Sequence, residues 1–225
     1  MAMRILTGRD LLRQERLRAP KMVLGLDLGQ RRDWTALAIV ERRMEPRPLP
    51  EDPATTRLTS TYAVPYLDRT QEKSYEAIAA DMVALKREPR LADATLVIDE
   101  TGVGVAVGDM LDARKLHPER VTITGGDTAS QSGRSHRVPK RDLGTVVAVM
   151  LESQRLKVAE GLPLTETLVK ELENFKVKIA ATGHDRYGAG EDWRVGNHDD
   201  LVLAVALAIW WGERPSRELL RGRTW

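Results

Sequence analysis

With 225 residues, 42% of them hydrophobic, the chain has the length of one generous domain and enough apolar content to build its core. Its 35 Lys and Arg nearly cancel 33 Asp and Glu, which excludes a globally basic nucleic-acid binder and leaves any basic surface local. The absence of cysteine excludes disulfides, thiolate metal sites and a cysteine nucleophile, so the chemistry falls to oxygen and imidazole groups.

Residues 1–20 are charged, lack an apolar signal region and end at Pro20, the pattern of a tail or linker ahead of a domain spanning 21–213, with 214–225 a second tail. Met22–Gly29 and Trp34–Glu41 are strand-like runs on either side of a basic turn and predict an antiparallel hairpin. Pro46, Pro48, Pro50 and Pro53 mark a loop, and Arg57–Pro65 alternates as a third strand. Ser74–Lys86 is an amphipathic helix with Tyr75, Ile78, Ala79, Met82 and Leu85 on one side. Thr95–Ile98 is a buried strand ending at Asp99, followed by Gly102, Gly104 and a helix through Leu116; Val121–Thr124 is the next strand. Gly125–Val138 is polar and rich in Gly and Ser, hence a loop, and Pro139 opens a helix running to about Gln154, since its missing N–H is not needed there. A short strand (RLKVA) and a helix (LPLTETLVKELENF) follow, and Lys176–Ala181 with a turn near Gly183 predicts a further β-hairpin. The last segment, HDDLVLAVALAIWW from His198, is shorter than the roughly 18 apolar residues of a membrane span. Three successive strands followed by alternating helices and strands argue for a mixed sheet flanked by helices.

Carboxylates in apolar surroundings carry the functional signal. Asp27 sits inside VLGLDLG, where an unpaired buried ion costs several kcal/mol and must be protonated, paired or bound to a cation. An ion pair with Arg31 or Arg32, or a turn cap, would meet that demand. Asp99 repeats it at the end of LVIDETG, with Glu100 on the opposite face by strand parity. Asp199 and Asp200 open the last helix, where acids cap free N–H groups and match the dipole. That role accounts for one of them comfortably. A cluster of three such acids repels itself unless a cation neutralises it, and oxygen ligands suit Mg²⁺ or Mn²⁺.

The ordered set GLDLG, VIDETGVG, VPKRDL, LVKELENFKVKI and HDDLVLAVALA, from about Lys21 to Gly212, closely resembles the nuclease domain of the large terminase subunit of tailed bacteriophages. The resemblance implies an α/β, ribonuclease H-like fold, a mixed five-stranded sheet flanked by helices with an extra β-hairpin. It implies that Asp27, Asp99 and Asp200 converge on divalent metal, Asp27 bridging two ions and the others holding one each. Two such ions about 3.5–4 Å apart can activate water and stabilise the leaving oxygen of a phosphodiester. Asp199 and His198 are left between ligation, orientation of a ligand and capping. The implied activity is cutting of double-stranded, concatemeric viral DNA in the bacterial host cytoplasm during genome packaging. The implied partners are a packaging ATPase domain or subunit, a portal and a small terminase subunit, and no membrane.

DNA contacts are expected from Arg134, Arg137, Lys140 and Arg141, around a loop and a helix start, and from Lys176, Lys178 and Arg186 along the expected hairpin. Tyr187 and Trp193 could stack on a base or pack. The phosphate loop GxxxxGK[ST] of a packaging motor is absent, so the sequence reads as an isolated nuclease domain or as a short protein separate from its motor. GLDLG and IDETGVG also look like the phosphate turns of actin, sugar kinases and chaperone ATPases, but those duplicate the unit. Holliday-junction resolvases share the fold and acidic cluster, and VPKRDL and HDDLV favour the packaging nuclease over them. A DNA-binding module without catalysis would have no use for three costly acids.

Overall fold

The computed structural model describes residues 19–30, 33–48, 52, 54–181 and 198–214, with the backbone alone for 176–181. Strands β1 (Lys21–Asp27), β2 (Thr35–Pro48) and β3 (Thr56–Thr70) form an antiparallel meander. Helix α1 (Tyr75–Arg87) leads to β4 (Thr95–Asp99), which returns parallel to β1. After α2 (Gly104–Ala113) come β5 (Glu119–Thr124), β6 (Ser130–Ser132) and β7 (Ser135–Pro139). Then follow α3 (Lys140–Glu152), β8 (Leu156–Val158), α4 (Thr165–Ala181) and α5 (Asp200–Glu213). The sheet runs β6-β7-β5-β4-β1-β2-β3-β8, so the expected five-stranded mixed sheet is its centre, extended by β7 and β6 on one side and β8 on the other.

The period of two along each strand divides the core into two layers. Leu24, Leu26, Leu37, Ile39, Leu96 and Ile98 face α1 and α2. Val23, Ala36, Ala38, Val40, Val64, Leu67 and Val97 face α3, α4 and α5. Helix α5 is apolar all round because it is enclosed all round: Leu201 through Ile209 are buried between the sheet and the other two helices. It lies directly on β1. A methyl group on Gly25 would sit 1.9 Å from the Ala204 carbonyl oxygen, so only glycine admits this approach. At the other end of α5 the Glu213 carboxylate accepts hydrogen bonds from Ser60 and, at 2.7 Å, from the Tyr62 hydroxyl.

Four expectations are corrected. Lys176–Ala181 is no hairpin but the end of α4, continuing the helical period of Leu168, Leu172 and Phe175. The expected turn near Gly183 lies outside the described residues, and a hairpin is present within the stretch read as a loop, as β6 and β7, turning at Gly133 with φ 60°. There His136 and Val138 point inward while Ser135 and Arg137 face out, a strand alternation hidden by polar composition. β2 continues through Pro46 and Pro48, and β3 runs past Pro65 to Thr70. Pro65 breaks no ladder because the β2–β3 register shifts between Ile39 and Glu41, and such an irregularity tolerates a missing N–H.

Candidate active site

Strand parity places three charged side chains on the face that α5 covers. On β1, Asp27 follows Val23 and Gly25; on β4, Asp99 follows Val97; on β3, Arg69 follows Leu67. β1 and β4 are parallel and adjacent, with Leu26 beside Ile98, so Asp27 and Asp99 occupy the next step at the carboxyl ends of neighbouring strands. Backbones so paired lie about 4.8 Å apart. Asp99 Oδ1 accepts the Thr101 N–H at 2.8 Å, and a methyl group on Gly104 would sit 2.0 Å from the Asp99 carbonyl oxygen, so the first turn of α2 is fitted against this strand end. Glu100, which strand parity puts on the opposite face from Asp99, meets Arg120 at 3.1 Å.

The first turn of α5 brings Asp199 and Asp200 to the same place. Asp27 is 8% exposed, and its proton affinity is held well above the usual carboxylate range. Burial is the main cause, followed by the charges of Asp99, Asp200 and Asp199, with Lys140 opposing them. Asp200 is also raised, by burial first, against the pull of Arg69 and His198. Four carboxylates therefore share one field. Among the described residues two cations stand with them: Lys140 Nζ meets Asp199 Oδ2 at 2.8 Å, and Arg69 Nη2 meets Asp200 Oδ2 at 2.8 Å. His198 is largely exposed, with Nδ1 3.5 Å from Asp200 Oδ2. Among the described residues no three His, Asp or Glu side chains surround one point tightly enough to hold an ion. The donor set itself suits one: oxygen groups of high proton affinity are the ligands that hard divalent cations take in place of protons.

Two residues of this site escaped the sequence reading. Arg69 lies in the part of β3 beyond Pro65, stacks on Trp34 at 4.6 Å and contacts Asp200. Glu171 is 4% exposed on α4, and its Oε2 accepts the N–H groups of Leu201 and Val202 at 2.9 and 3.2 Å. Burial pushes Glu171 up to about 7, against the opposing effects of the Val202 N–H and Arg69. The signal for Glu171 was in the sequence: it shares the face of Leu168, Leu172 and Phe175, and an acid on an apolar helix face needs a partner.

Of the expected DNA contacts, Lys140 belongs to the acid cluster. Arg134, Arg137 and Arg141 are exposed around β7 and the start of α3, with Arg134 3.0 Å from Asp112 and Arg141 2.6 Å from Asp127. The side chains of Lys176 and Lys178, and all of Arg186, Tyr187 and Trp193, lie outside the described residues, as do Arg31 and Arg32. A cleft lined by Leu26, Tyr66, Asp68, Lys73 and Asp81 lies on the opposite face of the sheet and includes none of the four acids.

No protein-family model and no curated protein matches the chain. Solved structures do. The large terminase nuclease of thermophilic phage G20c with bound magnesium aligns over 85% of this chain and 81% of its own, at 21% identity and a TM-score of 0.50. The fold is that of a terminase nuclease domain. Its ribonuclease H-like layout is the mixed central sheet with helices on both faces. The same phage nuclease with bound zinc aligns over 87% of this chain and 82% of its own at 20% identity (TM-score 0.48). The human cytomegalovirus terminase nuclease domain aligns over 96% of this chain and 98% of its own at 14% identity (TM-score 0.47).

Proposed function

We propose that the chain is a divalent-metal-dependent endonuclease that cuts double-stranded viral DNA during genome packaging, with Asp27, Asp99 and Asp200 as the metal ligands. The observation that carries the reading is Asp27: a carboxylate buried at a strand's carboxyl end beside Asp99, Asp199 and Asp200, its proton affinity raised by burial first and then by those three charges, with Lys140 opposing them. A fold stabilised only by packing gains nothing from that repulsion, whereas a cation site gains its ligands. Bound Mg²⁺ or Mn²⁺, as two ions, would supply an activated water and charge stabilisation for the leaving oxygen.

The protein's own groups have separable tasks. Asp27 and Asp99 present oxygens from rigid neighbouring strands, and Asp200 presents its own from a helix locked to β1 at Gly25. Asp199 is a further ligand candidate whose carboxylate is held by Lys140 and not by the helix, and His198 is placed to orient Asp200. Arg134, Arg137 and Arg141, with Lys176, Lys178 and Arg186, would bind phosphates without reading bases. A packaging ATPase, portal and small terminase are the partners this role requires in the bacterial host. Among the described residues no helix is long and apolar enough to cross a membrane.

Supercoiled plasmid incubated with the protein and Mn²⁺ or Mg²⁺ tests the reading. Nicked and linear products are expected, abolished by EDTA and by Asp27→Asn or Asp200→Asn. Wild-type cleavage by either variant would remove that residue from the site, and a four-way junction cut far faster than duplex would point to a resolvase.

A further inference from the structure

Asp199 occupies the N-cap position of α5, yet its side chain makes no capping bond and turns instead to Lys140 at 2.8 Å. The N–H groups that an N-cap oxygen ordinarily accepts are those two and three residues further on, here Leu201 and Val202. Both donate to Glu171 Oε2, from a different helix. We propose that Glu171 is a positioning residue of the nuclease site: by capping α5 from α4 it releases Asp199, together with Asp200, to face cations. The inference rests on the metal-nuclease reading and adds a residue to it.

Two further observations support this assignment. Glu171 sits among Leu168, Leu172 and Phe175, where an apolar side chain would pack with less desolvation cost, so an acid is accounted for by what it accepts. Its second oxygen, Oε1, has no hydrogen-bond partner among the described residues and lies 3.4 Å from Arg69 Nη1, while Arg69 Nη2 holds Asp200. One carboxylate thus touches the turn that carries both acids and the guanidinium that orients one of them. Its position also answers an electrostatic difficulty. A helix N-terminus carries about half a positive charge and repels a cation, and Glu171 places a carboxylate on that end without using up a ligand.

Removing the acceptor leaves the Leu201 and Val202 N–H groups without Glu171, and an N-cap side-chain oxygen, here that of Asp199, is the group that ordinarily takes them. Glu171 and Asp199 are therefore coupled in metal binding. Titration calorimetry with Mn²⁺ alone, in the absence of DNA, would be run on wild type, Asp199→Asn, Glu171→Leu and the double variant, with thermal melts in parallel. Substitutions around metal ligands typically change affinity about 10- to 100-fold, and Asp199→Asn is expected to weaken Mn²⁺ binding at least about tenfold in wild type. In the Glu171→Leu background the same change is expected to alter affinity less than about twofold, because Asp199 has already returned to the helix.

Equal effects of Asp199→Asn in the two backgrounds would overturn the proposal, since a residue that merely supports the fold lowers the melting temperature without such coupling. Glu171→Gln keeps an acceptor oxygen and serves where the leucine variant does not fold. It should preserve the Asp199→Asn effect while weakening Mn²⁺ binding several-fold through the lost charge, and unchanged affinity would equally refute the assignment. Failure of wild type to bind Mn²⁺, or binding undiminished by Asp27→Asn, would instead defeat the metal-nuclease reading.

Discussion

Arg69 Nη2 holds Asp200 Oδ2 at 2.8 Å from a strand that the helix of Asp200 covers, and both side chains are largely buried. Breaking a buried pair by removing one partner costs about 3–5 kcal/mol because the other charge is left in place. Arg69→Ala is therefore expected to lower stability in EDTA by about 3 kcal/mol, a fall of roughly 6–12 °C for a chain of this size. Added Mn²⁺ should restore more stability to this variant than it adds to wild type, since a bound ion would replace the missing cation. Equal Mn²⁺-induced shifts in the two proteins, read by differential scanning fluorimetry, would refute this.

Glu171 and Asp27 are expected to contribute, in the same sense as Asp200, to the pH dependence of the metal-free protein. Both bind protons more tightly when folded, Glu171 at about 7 against 4.5 and Asp27 well above 3.8. The folded state then holds more protons than the unfolded one, so their contribution is fully present below the unfolded values and is lost as pH rises through the folded ones. In EDTA the melting temperature is expected to fall by several degrees from about pH 5 to 8. Asp112 and Asp52, which are lowered, act in the opposite sense below that window. Asp27→Asn and Glu171→Gln should each flatten the slope, and Asp27→Asn should raise the midpoint while abolishing cleavage. A slope unchanged in both variants would rule out these two groups as its source.

Much of this arrangement was legible before the fold was known because it follows from short-range rules. Asp27 in an apolar strand, Asp99 at a strand's end and the two acids ahead of an apolar helix each declare themselves by their neighbours. The separation of Glu100 from Asp99 followed from strand parity alone. Arg69 and Glu171 were not found because their meaning is tertiary. Arg69 becomes a partner of Asp200 only when β3 continues through a proline that a register irregularity accommodates, and Glu171 becomes a cap only when α4 is laid across the start of α5. The β6–β7 hairpin was missed for a different reason: its inward positions include His136, whose Nε2 meets Glu119 at 2.8 Å and whose ring is flanked by Trp210 and Trp211, so polar composition concealed a buried strand.

Gly25 ties the site to the fold. Its Cα faces the α5 backbone, and a side chain there meets the Ala204 carbonyl oxygen, which belongs to a helix and cannot move aside alone. Gly25→Val is expected to cost at least about 2–3 kcal/mol, in the range of overpacked cores, and to displace the first turn of α5 from Asp27. Cleavage should fall more than a hundredfold even well below the melting temperature. Urea unfolding with an unchanged midpoint would exclude this packing constraint.

Arginines around β7 are expected to act on DNA affinity and not on the metal. In an Asp27→Asn background with EDTA, where the duplex is not cut, Arg134→Ala, Arg137→Ala and Arg141→Ala should each weaken binding without regard to sequence. Each lost phosphate contact should reduce the slope of log affinity against log salt by about 0.9. Lys140→Ala should behave differently, because Lys140 faces Asp199 and opposes the charge around Asp27. Its expected signature is altered Mn²⁺ affinity with a salt slope close to that of its parent. A Lys140 variant that matched the arginine variants in salt slope and bound Mn²⁺ as wild type does would return that residue to the DNA surface.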